Sequence, residues 1–141
     1  MDLSKLTVIL ADRMAAIVPD GFHVEAVVGR LQYSADEGRF PGQLGNYQVG
    51  TAGTYVRDNF NAHGQTGEDH IAGVAAQALD ELQDYIDEAT HDPWPGESTP
   101  PRAHAQVRDR MLHLWYGGPD TDSDAVLACE PIPLAHLQRS P

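Results

Sequence analysis

Cysteine is nearly absent from this chain: Cys129 stands alone, which excludes an internal disulfide and leaves no set of thiols for a zinc site within one chain. Positive charge is scarce as well. Nine Lys plus Arg face 21 Asp plus Glu, so the formal net charge is −12 with the histidines counted neutral. A field of that sign repels phosphate backbones and anionic lipid, which argues against direct nucleic-acid binding and against a membrane-surface role. Long hydrophobic runs are missing too. No window approaches the roughly 18 consecutive apolar residues of a spanning helix, and Asp2 and Lys5 sit ahead of an amphipathic rather than a uniformly apolar N-terminal run. The expectation is a cytoplasmic chain with neither secretory signal nor membrane anchor. There is no His-Glu-x-x-His motif, phosphate-binding glycine loop or Gly-x-Ser-x-Gly elbow, so no catalytic residue, metal ligand or cofactor is assigned.

What is present is enough for one core. The chain has 141 residues, 41% of them hydrophobic, together with 13 Gly and 10 Pro. A chain of this length buries roughly 70% of its extended surface on folding. Residues 1–141 are therefore read as a single domain with substantial loop.

Leu3, Leu6, Leu10, Met14 and Ile17 recur at helical spacing, predicting a first helix ended by Pro19 and Gly21. Phe22, Val24 and Ala26 then alternate with more polar neighbours, and Leu31 with Tyr33 continues the alternation, predicting a hairpin that turns near Val28 to Arg30. Residues 35–53 are glycine-rich and read as a surface excursion with at most a short strand at 47–49. Thr54 is read as the cap of a short helix holding Val56 and Phe60. Thr66 with Asp69 resembles a capping box at the start of a long helix, along which Ile71, Val74, Ala78, Leu82, Ile86 and Ala89 form an apolar stripe ending before His91-Asp92-Pro93.

A proline-rich linker over 92–103 leads to a second hairpin, Ala105 to Arg108 with Met111 to Tyr116. A last strand runs from Ala125 to Ile132, and Pro131 and Pro133 place its end at a sheet edge. The fold class is α+β, two-layer, with an antiparallel sheet of four or five strands packed against two main helices. Each half sends a helix into a turn and then a hairpin carrying Leu31-Gln32-Tyr33 or Leu114-Trp115-Tyr116, which leaves an internal duplication open beside the plainer reading of a common unit used twice.

The stretches YSADEGRFPG (33–42), ALDELQDYIDEATHDPWPG (78–96), LHLWYGG (112–118) and CEPIPL (129–134) resemble a group of small uncharacterised proteins of high-G+C Gram-positive bacteria. The resemblance spans nearly the whole chain. It implies a bacterial cytoplasmic setting and a shared architecture, and it attaches no activity, cofactor or site residue.

Between Asp58 and Pro101 there are many acids and no Lys or Arg. Asp80, Asp84 and Asp87 fall at i, i+4 and i+7, on one strip of the long helix. That strip is either a solvated face that keeps the chain in solution or a docking surface for a basic partner, including one that imitates a nucleic-acid backbone. Cation binding is a weaker alternative, because a rigid helix seldom converges enough oxygens. The Glu88-His91 pair has the spacing of a di-iron helix but no second copy to face it. Cys129, on an alternating strand, reads as a small core residue.

On the strand from Met111, Leu112, Leu114 and Tyr116 share one face, while His113 and Trp115 share the other with Met111. That second face is either buried or a recognition surface, with His23, Glu25, Gln32 and Glu130 as further candidates. Trp94, between Pro93 and Pro95, is either an exposed interface residue or a plug folded back on the long helix. The leading functional expectation is a protein-binding or adaptor module, with a protein partner or a homodimer. A small enzyme or small-molecule site near His113 and Trp115 is the alternative, and a structural component of a larger assembly is a third.

Overall fold

The computed structural model describes residues 3–27, 29–36, 52–55, 67–90, 92–95, 101–118 and 125–137. The strand expected at 47–49, the helix around Val56 and Phe60, the Thr66 cap and His91 lie outside the described residues.

Leu6, Leu10 and Met14, all 0% exposed, define the buried stripe of α1 (Leu3–Ala15). Thr7 is buried on the same helix because its hydroxyl donates back to the Leu3 carbonyl at 2.7 Å, so no polar group is left unpaired. Past Pro19 the chain reverses at Gly21, whose φ of 93° suits a residue without Cβ. Strands β1 (Phe22–Val27) and β2 (Arg30–Ala35) then form the expected hairpin, with Val24 opposite Tyr33 and Gly29 at φ 75° in the tight loop.

Strand β3 (Ala52–Tyr55) pairs antiparallel with β2, giving the order β1-β2-β3. Thr54 is therefore a strand residue opposite Leu31, and the helix it was expected to cap lies outside the described residues. The glycine beside it, Gly53, disguised the strand: a Cβ there would collide with the Leu31 carbonyl, so this glycine serves close strand approach and not a loop.

Helix α2 (Gly67–Thr90) carries the longest apolar stripe, from Ile71 to Ala89. After the linker come β4 (Arg102–Arg108) and β5 (Met111–Gly117), joined by a tight turn in which Asp109 and Arg110 both take positive φ, 51° and 63°. β5 is the central strand of the second sheet. β4 lies along one of its edges; β6 (Ala125–Ala128) and β7 (Ile132–Pro133) share the other, at opposite ends. The last strand thus divides in two around Pro131, which has no N–H to offer the ladder. The Cys129 N–H, donating to the Leu114 carbonyl at 3.0 Å, holds the chain alongside β5 between the two pieces. A 3-10 turn, Leu134–Leu137, follows.

The fold is α+β, with antiparallel strands packed against two main helices, and the strands divide into sheets of three and four. α1 lies mainly on β1. α2 touches β2 and β3 of the first sheet and β4 and β5 of the second, so both sheets share it. One apolar cluster draws on all of them: Leu6 and Met14 from α1, Leu31 and Tyr33 from the first sheet, Leu79 and Ile86 from α2, Leu114 and Tyr116 from the second sheet. Among the described residues no helix is long and apolar enough to cross a membrane.

Two phenols fix this arrangement. The Tyr33 hydroxyl donates to the Ala78 carbonyl at 3.1 Å, and the Tyr116 hydroxyl donates to the adjacent Leu79 carbonyl at 2.6 Å. Each sheet thereby pins the middle of α2 through one buried hydrogen bond. Burial raises the Tyr116 phenol far above its ordinary range, so it stays a protonated donor. Because each helical carbonyl keeps its own N–H partner, removing a phenol oxygen strands no buried acceptor. Tyr33→Phe and Tyr116→Phe should each cost about 1 kcal/mol of unfolding free energy, read as a lower urea midpoint with unchanged slope.

Candidate functional site

The residues singled out in the sequence fall into three places. Asp80 and Asp84 are exposed on α2, facing away from its apolar stripe, and Glu88 continues that row one turn on. Glu81 beside them accepts a hydrogen bond from the Gln77 amide at 2.8 Å. Burial raises the Asp84 carboxyl above the ordinary aspartate value, and the nearby charges of Asp80, Glu81 and Glu88 push it in the same direction. Every charge acting on Asp84 in this way is acidic, so the row is held together against its own repulsion.

Asp87 is on the same helix but differs in kind. It is half-buried, and its carboxylate accepts the Trp94 N–H at 2.7 Å. Burial raises its carboxyl, the Trp94 N–H opposes that rise, and Asp84 adds to it. Trp94 folds back: its ring meets Tyr116 edge-on at 5.0 Å, and its carbonyl accepts from the Gln83 amide at 2.9 Å. The same Gln83 nitrogen donates to the Pro101 carbonyl at 2.7 Å. Gln83 is 6% exposed, a buried polar side chain whose amide holds both ends of the proline-rich linker against the helix. Trp94 thus folds back against α2 and Tyr116 while staying half-buried.

The third place is the face of β5 turned away from the central cluster. Trp115 is 1% exposed there. Its ring lies 5.4 Å from that of His104, and the Arg108 guanidinium sits over it at 5.9 Å. Its indole N–H donates to the Gly118 carbonyl at 2.7 Å. Trp115 is thus packed and satisfied, and His113 beside it is half-buried. His23, Glu25 and Gln32 belong to the other sheet and do not extend this face. Cys129 is buried, with its thiol pushed up to about 12 by desolvation, as befits a core residue and not a nucleophile.

A groove of about 390 Å³ opens elsewhere, between α1 and the first hairpin, with Leu3, Val8, Ala26 and Val27 among its walls. It includes none of the candidate site residues drawn from the sequence. Among the described residues no three His, Cys, Asp or Glu side chains converge as a metal site.

The sequence did not mark out Gln83, because its role depends on a linker that returns to the helix. Replacing it with Leu leaves two half-buried carbonyls without their donor, so Gln83→Leu should cost about 1 kcal/mol and loosen residues 92–95, measurable by urea unfolding and by proteolysis of the linker. Asp84 has a signed pH dependence. Its folded value lies above its unfolded one, so the native state binds the proton more tightly, and stability is lost as pH rises through the folded value. Asp84→Asn should therefore be more stable than the parent at neutral pH, and the advantage should vanish below the unfolded aspartate value of about 3.9. Comparison with protein-family models, with curated proteins and with solved structures finds no match to this chain.

Proposed function

We propose that the chain is a protein-binding module that docks a basic partner surface on the exposed acidic row of α2. The observation that carries this reading is the setting of Asp84: an exposed carboxylate on a helix pinned from both sheets, with Asp80, Glu81 and Glu88 all raising its proton affinity. A row of like charges one turn apart costs isolated helices a few tenths of a kcal/mol per pair. A cationic surface laid across it relieves that repulsion, whereas water and salt only screen it. The pins through Tyr33 and Tyr116 keep the row straight without using its acids, so the helix meets a partner with little ordering left to do. The buried state of Trp115 supports this surface over an open small-molecule site near His113 and Trp115.

The test is charge reversal. Asp80→Lys with Asp84→Lys should fold with unchanged or slightly higher urea stability, since it removes repulsion from an exposed face. Affinity capture from the native lysate should yield a discrete basic protein with the parent chain. That protein should be released by salt and absent with the doubly reversed variant, while Asp12→Lys on α1 retains it. Equal capture by the parent and the reversed variant would mean that the acids serve only to keep the chain in solution.

A further inference from the structure

The outer edge of β1 has a geometry that specifies its own partner. In an antiparallel ladder, hydrogen-bonded and non-hydrogen-bonded pairs alternate. Gly21 stands opposite Asp36 in the register, and the Asp36 N–H donates to the Gly21 carbonyl at 2.8 Å. The bonded pairs therefore continue as His23 with Ser34, Glu25 with Gln32 and Val27 with Arg30, the last closing the hairpin loop. The residues between them, Val24 and Ala26, turn their N–H and C=O groups away from β2. Within the first sheet β1 is the end strand, and nothing pairs with that side of it among the described residues.

We propose that this edge joins β1 of a second copy of the chain, antiparallel, about a two-fold axis at Val24. Two registers use the outward groups of Val24 and Ala26, and charge chooses between them. Centring on Glu25 sets that carboxylate against its own copy. Centring on Val24 instead sets Val24 against its own equivalent and Ala26 opposite the second copy's Phe22, whose N–H already donates to the Pro19 carbonyl at 3.2 Å. The same register sets His23 opposite the second copy's Glu25, and Glu25 opposite the second copy's His23. These fall in the non-bonded class, where side chains come closest, about 4.5 Å between Cα atoms. Both residues are exposed. Among the described residues Glu25 makes no hydrogen bond or ion pair, whereas His23 is already oriented by Asp36 at 2.8 Å. A cationic or N–H-bearing imidazole facing a carboxylate, twice by symmetry, is a favourable cross-strand pair.

The free side of β4 makes an instructive contrast. The parity counted from its closing pair, Arg108 with Met111, turns Ala103, Ala105 and Val107 outward. Self-pairing centred on Ala105 sets Arg102 directly against the second copy's Arg108, a repulsive contact. Charge thus favours self-pairing at β1 and opposes it at β4. The β1 edge also adjoins an apolar patch. Val8, 61% exposed, lines the groove together with Ala26 and Val27, and a second copy seated on β1 takes that patch out of water.

Sedimentation velocity over a concentration series tests this, and the parent chain should approach twice its monomer mass. Ala26→Pro removes an N–H that β2 does not use and places a ring on the edge, so it should yield a folded monomer by circular dichroism. Independently of any change in stability, His23→Cys with Glu25→Cys should form covalent dimers under mild oxidation, because each new thiol faces the other type across the axis. Asp84→Cys under the same conditions should form no covalent cross-link. A parent chain that remains a monomer throughout overturns the proposal. So does a dimer that persists in folded Ala26→Pro and shows no 23-to-25 cross-link, since it is built on another surface.

Discussion

Two adjacent carbonyls in the middle of α2 are where the halves of this molecule meet. Ala78 receives the Tyr33 hydroxyl from the first sheet and Leu79 the Tyr116 hydroxyl from the second. Consecutive helical residues point about 100° apart, so one helix can accept from two sheets only if they flank it. The phenols need long side chains rooted on strand faces turned toward the helix, and the helix needs small residues at the contact. Ala75 and Ala78, both 0% exposed, provide that clearance. Direct apolar contact alone would let the helix slide along either sheet; the directional bonds fix its rotation and its height.

Fixing the rotation decides what the opposite side of the helix presents. With Ile71, Ala78, Leu82 and Ile86 buried, the positions left to solvent include Asp80, Asp84 and Glu88, and no Lys or Arg occurs anywhere on α2 to break the row. Near its C-terminal end the helix uses its polar residues differently. Gln83 and Asp87 point toward the returning linker and spend their hydrogen bonds on the backbone at Trp94 and Pro101. Residues that look alike in the sequence, Asp84 and Asp87, therefore divide between an exposed surface and a structural clip.

Both helices, the two hairpins and the edge position of the last prolines were legible in the sequence, because each follows from local periodicity or from the chemistry of Gly and Pro. β3 was not legible: Gly53 belongs to a strand only because β2 approaches too closely for a Cβ, a fact about a neighbour. The division of the strands into two sheets is non-local in the same way, since alternation reveals a strand's faces and not its partners. The recurrence of Leu-x-Tyr in both hairpins was visible, and its physical meaning lies in the two phenols that reach one helix. Of the candidate site, the exposure of Asp80 and Asp84 agrees with their helical spacing. The burial of Trp115 and the return of Trp94 depended on His104, Arg108 and Gln83, which no spacing rule connects to them.

Charge is distributed unevenly enough for the two proposed surfaces to coexist. From Asp58 to Pro101 the chain carries acids and no Lys or Arg, whereas Lys5, Arg13 and Arg30 lie on α1 and the first hairpin. Two copies at −12 each repel at long range, but at physiological salt the Debye length is about 8 Å, so contact is governed by what lies near the interface. At the β1 edge those groups are of mixed sign. A self-pairing edge in the first half and an acidic row in the second would then use different residues and respond oppositely to salt: screening weakens the hold on a basic partner and relaxes the repulsion between like-charged copies. A molecule this acidic can associate with itself only where its acids are sparse, and in this fold such a place adjoins the end of the first sheet.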